Sequence, residues 1–325
     1  MNAFEWVSVH SVDEALGQLG GGMLVKAGGV DVLDRLKEGL DTPTRLVNIR
    51  TIKGLDRIEG DAATGLRIGP LATLAAIAGH PVVRQSFPAL ADAAGHAATP
   101  QIRNMATAGG NLLQRPRCWY FRSRDFHCLK KGGETCFAQK GENQYHAIFA
   151  NDPCAIVHPS ALATALVALG GSLELTGPKG PRLVRAEEFF TVPAQAVDRE
   201  NSLGADELIT RIVVPPPASG SRSAYMKVGE KESFDWPIAE VVVVLEMSGS
   251  NVSRASIVLG AAAPVPYRAA AAEKALVGKP LDEATARAAA KAAVDGATPL
   301  SGNGYKVALF ETVVRRTLVS AVRPS

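Results

Sequence analysis

The chain of 325 residues is long enough for two or three compact units, and its 46% hydrophobic and 21% charged content is that of a folded globular protein, not a disordered or fibrous one. Its 35 basic and 32 acidic residues leave a net charge of +3, far short of the excess that marks a nucleic-acid binder. No stretch reaches the roughly 18–20 uninterrupted apolar residues that span a bilayer, and "MNAFEWVSVHSVDEALGQL" lacks the basic-then-apolar order of a secretory signal, so a cytoplasmic location is expected.

The first 50 residues alternate strand and helix patterns. "MLVKA" (23–27) reads as a strand and "AGGVD" as a turn. "VLDRLKEGL" then sets Leu33, Leu36 and Leu40 on one helical face, and "TRLVNI" (44–49) is a strand again. "GLRIG" (65–69) predicts a strand, "LATLAAIAGHP" (71–81) a helix and "FPALADAAGHAAT" (87–99) another, before the glycine turn at 107–114. Residues 115–155 hold no sustained period of 2 or 3.6, and loops that long are uncommon in compact domains unless they bind something or are disordered. Regular pattern returns with the helix "ALATALVALGG" (161–171) and the strand "SLELTG". "ELITRIVVPPPASGS" ends a strand in three prolines and is the best linker candidate. "AEVVVVLEM" and "VSRASIVLG" read as a strand pair turned by "SGSN", and helical patterns follow, one of them with Asp282 as N-cap.

The turns "KAGGVDVL" (26–33) and "TAGGNLLQ" (107–114) share a design: small residues, a Gly-Gly pair and a polar residue. Consecutive glycines let backbone N–H groups converge on an anion, and the first turn opens a helix whose terminal amides favour a phosphate. Neither turn matches G-x-G-x-x-G or a P-loop. Each alone is a common plain turn; the pair marks a candidate nucleotide phosphate site.

All the cysteines fall in one window, Cys118-x9-Cys128-x7-Cys136-x17-Cys154. A chain expected in a reducing compartment, with enough residues to bury its own core, has little need of disulfides, so ligands are the better reading. The C-x2-4-C knuckles of structural zinc are absent, whereas iron–sulfur clusters take four cysteines at varied spacings. Three readings stay open: a cluster, a zinc site in which His127, His146 or His158 replaces a thiolate, or inert buried thiols. Arg115, Arg117, Arg122, Arg124, Lys130 and Lys131 flank the cysteines and would offset a cluster's negative charge. Trp119, Tyr120, Phe121 and Phe126 would shield it from water.

"AGGVD" (27–31) followed about 80 residues later by "TAGGNLLQ" resembles the two flavin loops of the FAD-binding medium subunits of xanthine-dehydrogenase-like molybdenum hydroxylases. "NLLQRPRCWYFR…C…C…GENQYHAI…C…HPS" is similar to the subset with an inserted 4Fe–4S cluster, most of all the bacterial aldehyde oxidoreductases. The resemblance implies an α+β chain. Residues 1–218 would form a two-subdomain FAD-binding domain of the vanillyl-alcohol-oxidase/PCMH type, with subdomains of about 1–54 and 55–218 and the cluster insertion at about 115–155. Residues 219–325 would form a C-terminal domain of three antiparallel strands and a helical bundle.

By the same resemblance, Lys26, Ala27, Gly28, Gly29, Val30, Asp31, Val32, Leu33 and Asp34 would wrap the FAD pyrophosphate, and Thr107, Gly110 and Asn111 would form the second loop. Val228 and Lys231, in the segment 225–239, would reach back towards the flavin. Cys118, Cys128, Cys136 and Cys154 would hold the cluster. One departure is plain: relatives often carry "HPSD" where this chain has "HPSA", so Ala161 cannot supply a carboxylate to the flavin. The implied role is electron transfer from a molybdopterin-binding large subunit and a 2Fe–2S small subunit through FAD to an acceptor, with co-export to the periplasm open through a signal-bearing partner. Nothing resembles a Ser-His-Asp or paired-carboxylate set, as befits chemistry carried by cofactors. The rival readings are a stand-alone FAD-dependent oxidase and a zinc-stabilised binding module.

Overall fold

A computed structural model describes residues 2–231 and 234–323; Glu232 and Ser233, inside the 225–239 segment, lie outside the described residues. Three sheets carry the chain. The first is parallel, in the order β1 (Glu5–Ser8), β3 (Arg45–Asn48), β2 (Met23–Lys26), with helix Val30–Glu38 crossing from β2 to β3. The expected Leu33–Leu36–Leu40 face is not the one that packs. Val32 and Leu36, four apart, meet Leu46 in a small core, while Leu33 is 38% exposed and Leu40 lies beyond Gly39, whose φ of +64° ends the helix.

The second sheet, antiparallel, runs β4 (Ile58–Asp61), β5 (Gly65–Ile68), β8 (Leu208–Val214), β6 (Ser172–Gly177), β7 (Gly180–Arg185). Leu66, Ile68, Leu173, Leu175 and Ile212 share one core with the helices Leu74–Gly79, Pro88–Gly95 and Ala161–Ala168. The helix expected over 71–81 is shorter because Thr73 caps it, accepting from the Ala76 N–H, and Pro81 begins the next helix.

The third sheet, order β12 (Tyr267–Arg268), β11 (Asn251–Gly260), β10 (Ala239–Ser248), β9 (Arg222–Val228), has four strands where three were expected. The added strand is a two-residue return that pairs with Val258 and Leu259, too short to leave a periodic signal. The unbroken valines of β10 are explained by burial on both faces. Val241, Val243 and Leu245 enter a core with the helices Ala270–Leu276, Glu283–Ala292 and Tyr305–Val322, while Val242 joins Val258 in the core of the second sheet.

The cysteine segment keeps little regular structure, only the turns of helix Trp119–Arg122, Leu129–Lys131 and Phe137–Gln139. Side chains from the C-terminal end tie it down. The Asn303 amide donates to the carbonyls of His146 and Ala147 at 3.1 Å, and Lys306 Nζ donates to those of His146 at 3.0 Å and Ala261 at 2.7 Å. Such bonds substitute for the sheet or helix ladder that the loop lacks. Among the described residues no helix is long and apolar enough to cross a membrane.

Candidate functional site: a glycine-lined cleft beside four cysteines

The two glycine turns meet on one cleft of about 720 Å³, closed on its other side by residues of β9 and β10. Gly28 meets the backbone that leads into the second turn: a Cβ there would stand 2.0 Å from the Met105 carbonyl oxygen, so only glycine permits the approach. Gly29, with φ +89°, opens helix Val30–Glu38 without any side-chain cap, leaving amides of its first turn for a ligand. In the second turn Thr107 accepts from the Gly110 N–H at 3.2 Å. The Asn111 side-chain oxygen accepts from Ser160 Oγ at 2.7 Å, which ties the turn to helix Ala161–Ala168.

Ala27, Gly28, Gly29, Val30, Asp31, Val32, Asp34, Thr107, Gly110 and Asn111 all line the cleft. Lys26, Leu33, Val228 and Lys231 do not, and strand alternation explains most of this. Val25 and Ala27 face the cleft, so Lys26 points away, its ammonium 5.4 Å from the Trp6 ring centroid. Leu33 folds over Gly29. On β9 the inward residues are Tyr225 and Lys227; Val228 packs on the C-terminal core and Lys231 is exposed. The alternation of "SAYMKV" could have found Tyr225 and Lys227, had the facing side been known.

Those two residues belong to a buried polar group. Tyr225 donates to Glu240 Oε2 at 2.9 Å, Glu240 Oε1 lies 2.8 Å from Thr164 Oγ1, and Lys227 Nζ donates to the His96 carbonyl at 3.1 Å. Burial raises the Glu240 carboxyl above its ordinary value, against the opposing pull of its hydroxyl partners and Lys227. The same exclusion from water lowers Lys227.

The Asp31 carboxylate is held by arginines and a backbone N–H. Its Oδ1 accepts from Arg117 at 2.8 Å and Arg122 at 2.7 Å, and its Oδ2 from Arg35 and the Arg115 N–H, both at 3.1 Å. Burial works to raise the carboxyl, but Arg117, Arg122 and Arg35 hold it below its ordinary value. The cations flanking the cysteines are thereby spoken for. Arg115 and Lys130 pair with Glu200, Arg117 and Arg122 with Asp31 and Asp34, and Arg124 and Lys131 donate to the carbonyls of Glu38 and Ser123. Of these, Arg117 and Arg122 clamp the cysteine segment to the first glycine turn.

The four cysteines, separated by up to 36 positions in sequence, line one cavity of about 10 Å³ together with Tyr120, Lys130 and His146. None is in a disulfide. The Cys154 thiol donates to Cys136, which lowers the Cys136 thiol and raises its own. Burial pushes the Cys118 thiol up to about 11, and His146 Nε2 lies 3.2 Å from its sulfur. Among the described residues no three His, Cys, Asp or Glu side chains are grouped as a single metal ion would need. Of the aromatic residues expected around the cysteines, Tyr120 and Phe121 line the cavity, joined by Phe137, while Trp119 and Phe126 stand edge-on to Tyr120.

Comparison with known proteins accords with this architecture. Residues 2–217 match the FAD binding domain in molybdopterin dehydrogenase, and residues 223–321 the CO dehydrogenase flavoprotein C-terminal domain. The chain is 33% identical to the aldehyde oxidoreductase FAD-binding subunit PaoB of Escherichia coli K12, covering 99% of this chain and 98% of that one. It is 31% identical to the carbon monoxide dehydrogenase medium chain of Hydrogenophaga pseudoflava, over 98% and 96% of the two chains. A solved carbon monoxide dehydrogenase from Hydrogenophaga pseudoflava superimposes with a TM-score of 0.76 at 30% identity, covering 98% of this chain and 97% of that one. The chain therefore belongs to the FAD-binding subunits of the molybdenum-containing hydroxylases, an oxidoreductase family.

Proposed function

We propose that this subunit carries electrons from a molybdopterin-binding large subunit and a 2Fe–2S small subunit through FAD to an acceptor, within a complex that oxidises aldehydes. The observation that carries the reading is the meeting of two glycine turns, about 80 residues apart, on a single cleft through the Gly28–Met105 approach. The aldehyde assignment rests on the likeness to an aldehyde oxidoreductase subunit. FAD, when bound, supplies the step between one- and two-electron chemistry. The chain's own part would be to hold the diphosphate on the amides after Gly28 and to keep water out with the apolar and buried polar wall. Residues 1–218 would form the flavin-holding unit and 219–325 its cover, working in the cytoplasm or, by co-export, in the periplasm. Copurification with two further subunits tests the role; a lone chain that oxidises an alcohol by itself would overturn it.

The cysteines Cys118, Cys128, Cys136 and Cys154 would be the ligands of a 4Fe–4S cluster. Four soft donors on the wall of one small cavity, none of them in a disulfide, support this. The cavity has room for about one water, so the turns bearing the thiols would part as the core enters. Ligation would also replace the thiol protons, including the one shared by Cys136 and Cys154. Anaerobically purified protein should contain about four irons per chain, and Cys136→Ser should lower that content. Stoichiometric zinc without iron would defeat the assignment.

The missing carboxylate at position 161 yields a further expectation. Ala161 lines the cleft in the first turn of helix Ala161–Ala168, where a negative charge is favourable. Ala161→Asp should tighten FAD binding by about 1.5–3 kcal/mol, roughly 10- to 150-fold, read by titrating the apoprotein with FAD.

A further inference from the structure

His146 is buried, at 3% exposure, on the wall of the cysteine cavity, and its Nε2 lies 3.2 Å from the Cys118 sulfur. The two residues stand 28 positions apart in the chain, and the contact is pinned from both sides. The His146 N–H donates to the Asn143 carbonyl at 3.0 Å, and the His146 carbonyl accepts from the Asn303 amide and from Lys306 Nζ on helix Tyr305–Val322. Its ring stands edge-on to Trp119, the centroids 5.0 Å apart. On the other side, Arg117 and Arg122 hold the turn that carries Cys118 onto Asp31, and the Arg122 guanidinium also donates to the carbonyls of Pro116 and Arg115. A cluster core entering the cavity would therefore meet His146 and Cys118 as a pair held independently of the single turns Leu129–Lys131 and Phe137–Gln139, which follow Cys128 and Cys136.

The direction of this hydrogen bond follows from the chemistry of the sulfur. With no ligand bound, either the thiol proton or the ring proton can bridge the two atoms. A sulfur bonded to iron has no proton to give, so the contact then persists only as Nε2–H donating to sulfur. His146 Nδ1 has no hydrogen-bond partner among the described residues, so nothing on the far side of the ring dictates the opposite tautomer. The Phe121 and Tyr120 amides also favour negative charge on this sulfur. The cations of the region are directed elsewhere. Arg117, Arg122 and Lys130 are matched by Asp31, Asp34 and Glu200, and Lys306 donates to the carbonyls of Tyr145, His146 and Ala261. Hydrogen bonds to the sulfurs are among the levers on a cluster's potential, because they draw charge off the metal core and favour its reduced, more negative state.

We infer that His146 is a positioning residue that acts through Cys118, raising the reduction potential of the 4Fe–4S cluster by donating its Nε2–H to the Cys118 sulfur. The inference rests on the cluster reading above.

The test uses the full chain purified anaerobically with its cluster, with iron counted chemically and the midpoint potential read by EPR during titration with dithionite. His146→Phe keeps an aromatic ring beside Trp119 and loses the donor. It should retain about four irons per chain and make cluster reduction about tenfold harder, a fall of about 59 mV in the one-electron midpoint. His146→Gln retains an N–H donor and should restore most of that fall. Wild-type protein supplies a readout that needs no variant: pulsed EPR of the reduced cluster should show a weak coupling to a histidine nitrogen. That measurement decides the matter if His146→Phe fails to fold or loses its iron. A strong coupling, as from a nitrogen bound to iron, or no coupling at all would overturn the inference. So would a four-iron His146→Phe protein with the wild-type midpoint, or equal falls in both variants, which would assign the shift to lost packing. Wild-type protein without iron would instead defeat the cluster reading, and this inference with it.

Discussion

Alanine in place of Gly28 is expected to give a destabilised chain that purifies largely free of flavin. The added methyl would sit 2.0 Å from the Met105 carbonyl oxygen, and that partner is backbone, which cannot swing aside as a flexible side chain does. Either residues 26–34 or residues 105–110 must move, and both carry cleft wall. Overpacking of this kind costs about 1–3 kcal/mol. Loss of the ligand adds to it, since FAD at a hundred times its dissociation constant contributes about 2.7 kcal/mol. The measurement is flavin absorbance per chain together with the thermal midpoint. Gly29→Ala is the useful contrast. Gly29 has room limited only by the ends of Leu33 and Lys26, so its cost is the left-handed backbone at φ +89°, about 1–2 kcal/mol. A Gly28→Ala protein with full flavin would show that the two turns do not form the flavin site.

Removing the charge of Asp31 should be the second large effect. Three guanidinium groups, of Arg35, Arg117 and Arg122, converge on this carboxylate, and Arg117 is buried enough that its own value falls to about 10 despite Asp31 and Asp34. Asp31→Asn leaves those cations facing one another, and breaking a buried pair from one side costs about 3–5 kcal/mol. Asp34→Asn is the control. Its side chain is 47% exposed and its pairings with Arg117 and Arg122 are longer, at 3.5 and 3.3 Å, so a loss below about 1 kcal/mol is expected. The pH dependence has a definite sign. Because Asp31 is held below its ordinary carboxylate value, its contribution is present above that value and lost as the pH falls through the lowered one. Wild-type stability should therefore fall more steeply in acid than that of Asp31→Asn. Equal acid slopes in denaturant titrations would remove the clamp from the account.

The clamp matters beyond stability. It joins the first glycine turn to Arg117 and Arg122 on either side of Cys118, so flavin loop and cysteine segment are one mechanical unit. In the sequence these arginines look like counter-charges for the cysteines, because proximity along the chain is all that can be read there. The carboxylates that claim them lie more than 80 positions away.

What the amino-acid order determines by itself is whatever depends on short-range spacing. The strand and helix periods, the Asp282 cap, the β10–β11 hairpin and the pair of Gly-Gly turns are all of this kind, since propensity and turn chemistry act within a few residues. The restriction of every cysteine to one irregular window also needed no coordinates. Facing direction was decided by tertiary structure. A strand period says that Lys227 and Val228 point oppositely, but only the packing of β9 against helix Pro88–Gly95 and the C-terminal core says which of them meets the cleft. Ala98, at φ +49° in the cleft wall, left no mark in the sequence because alanine does not advertise a left-handed backbone. Burial of Glu240 with Tyr225 and Thr164, and the convergence of four distant thiols on one small cavity, follow from long-range contacts whose partners no local pattern can name.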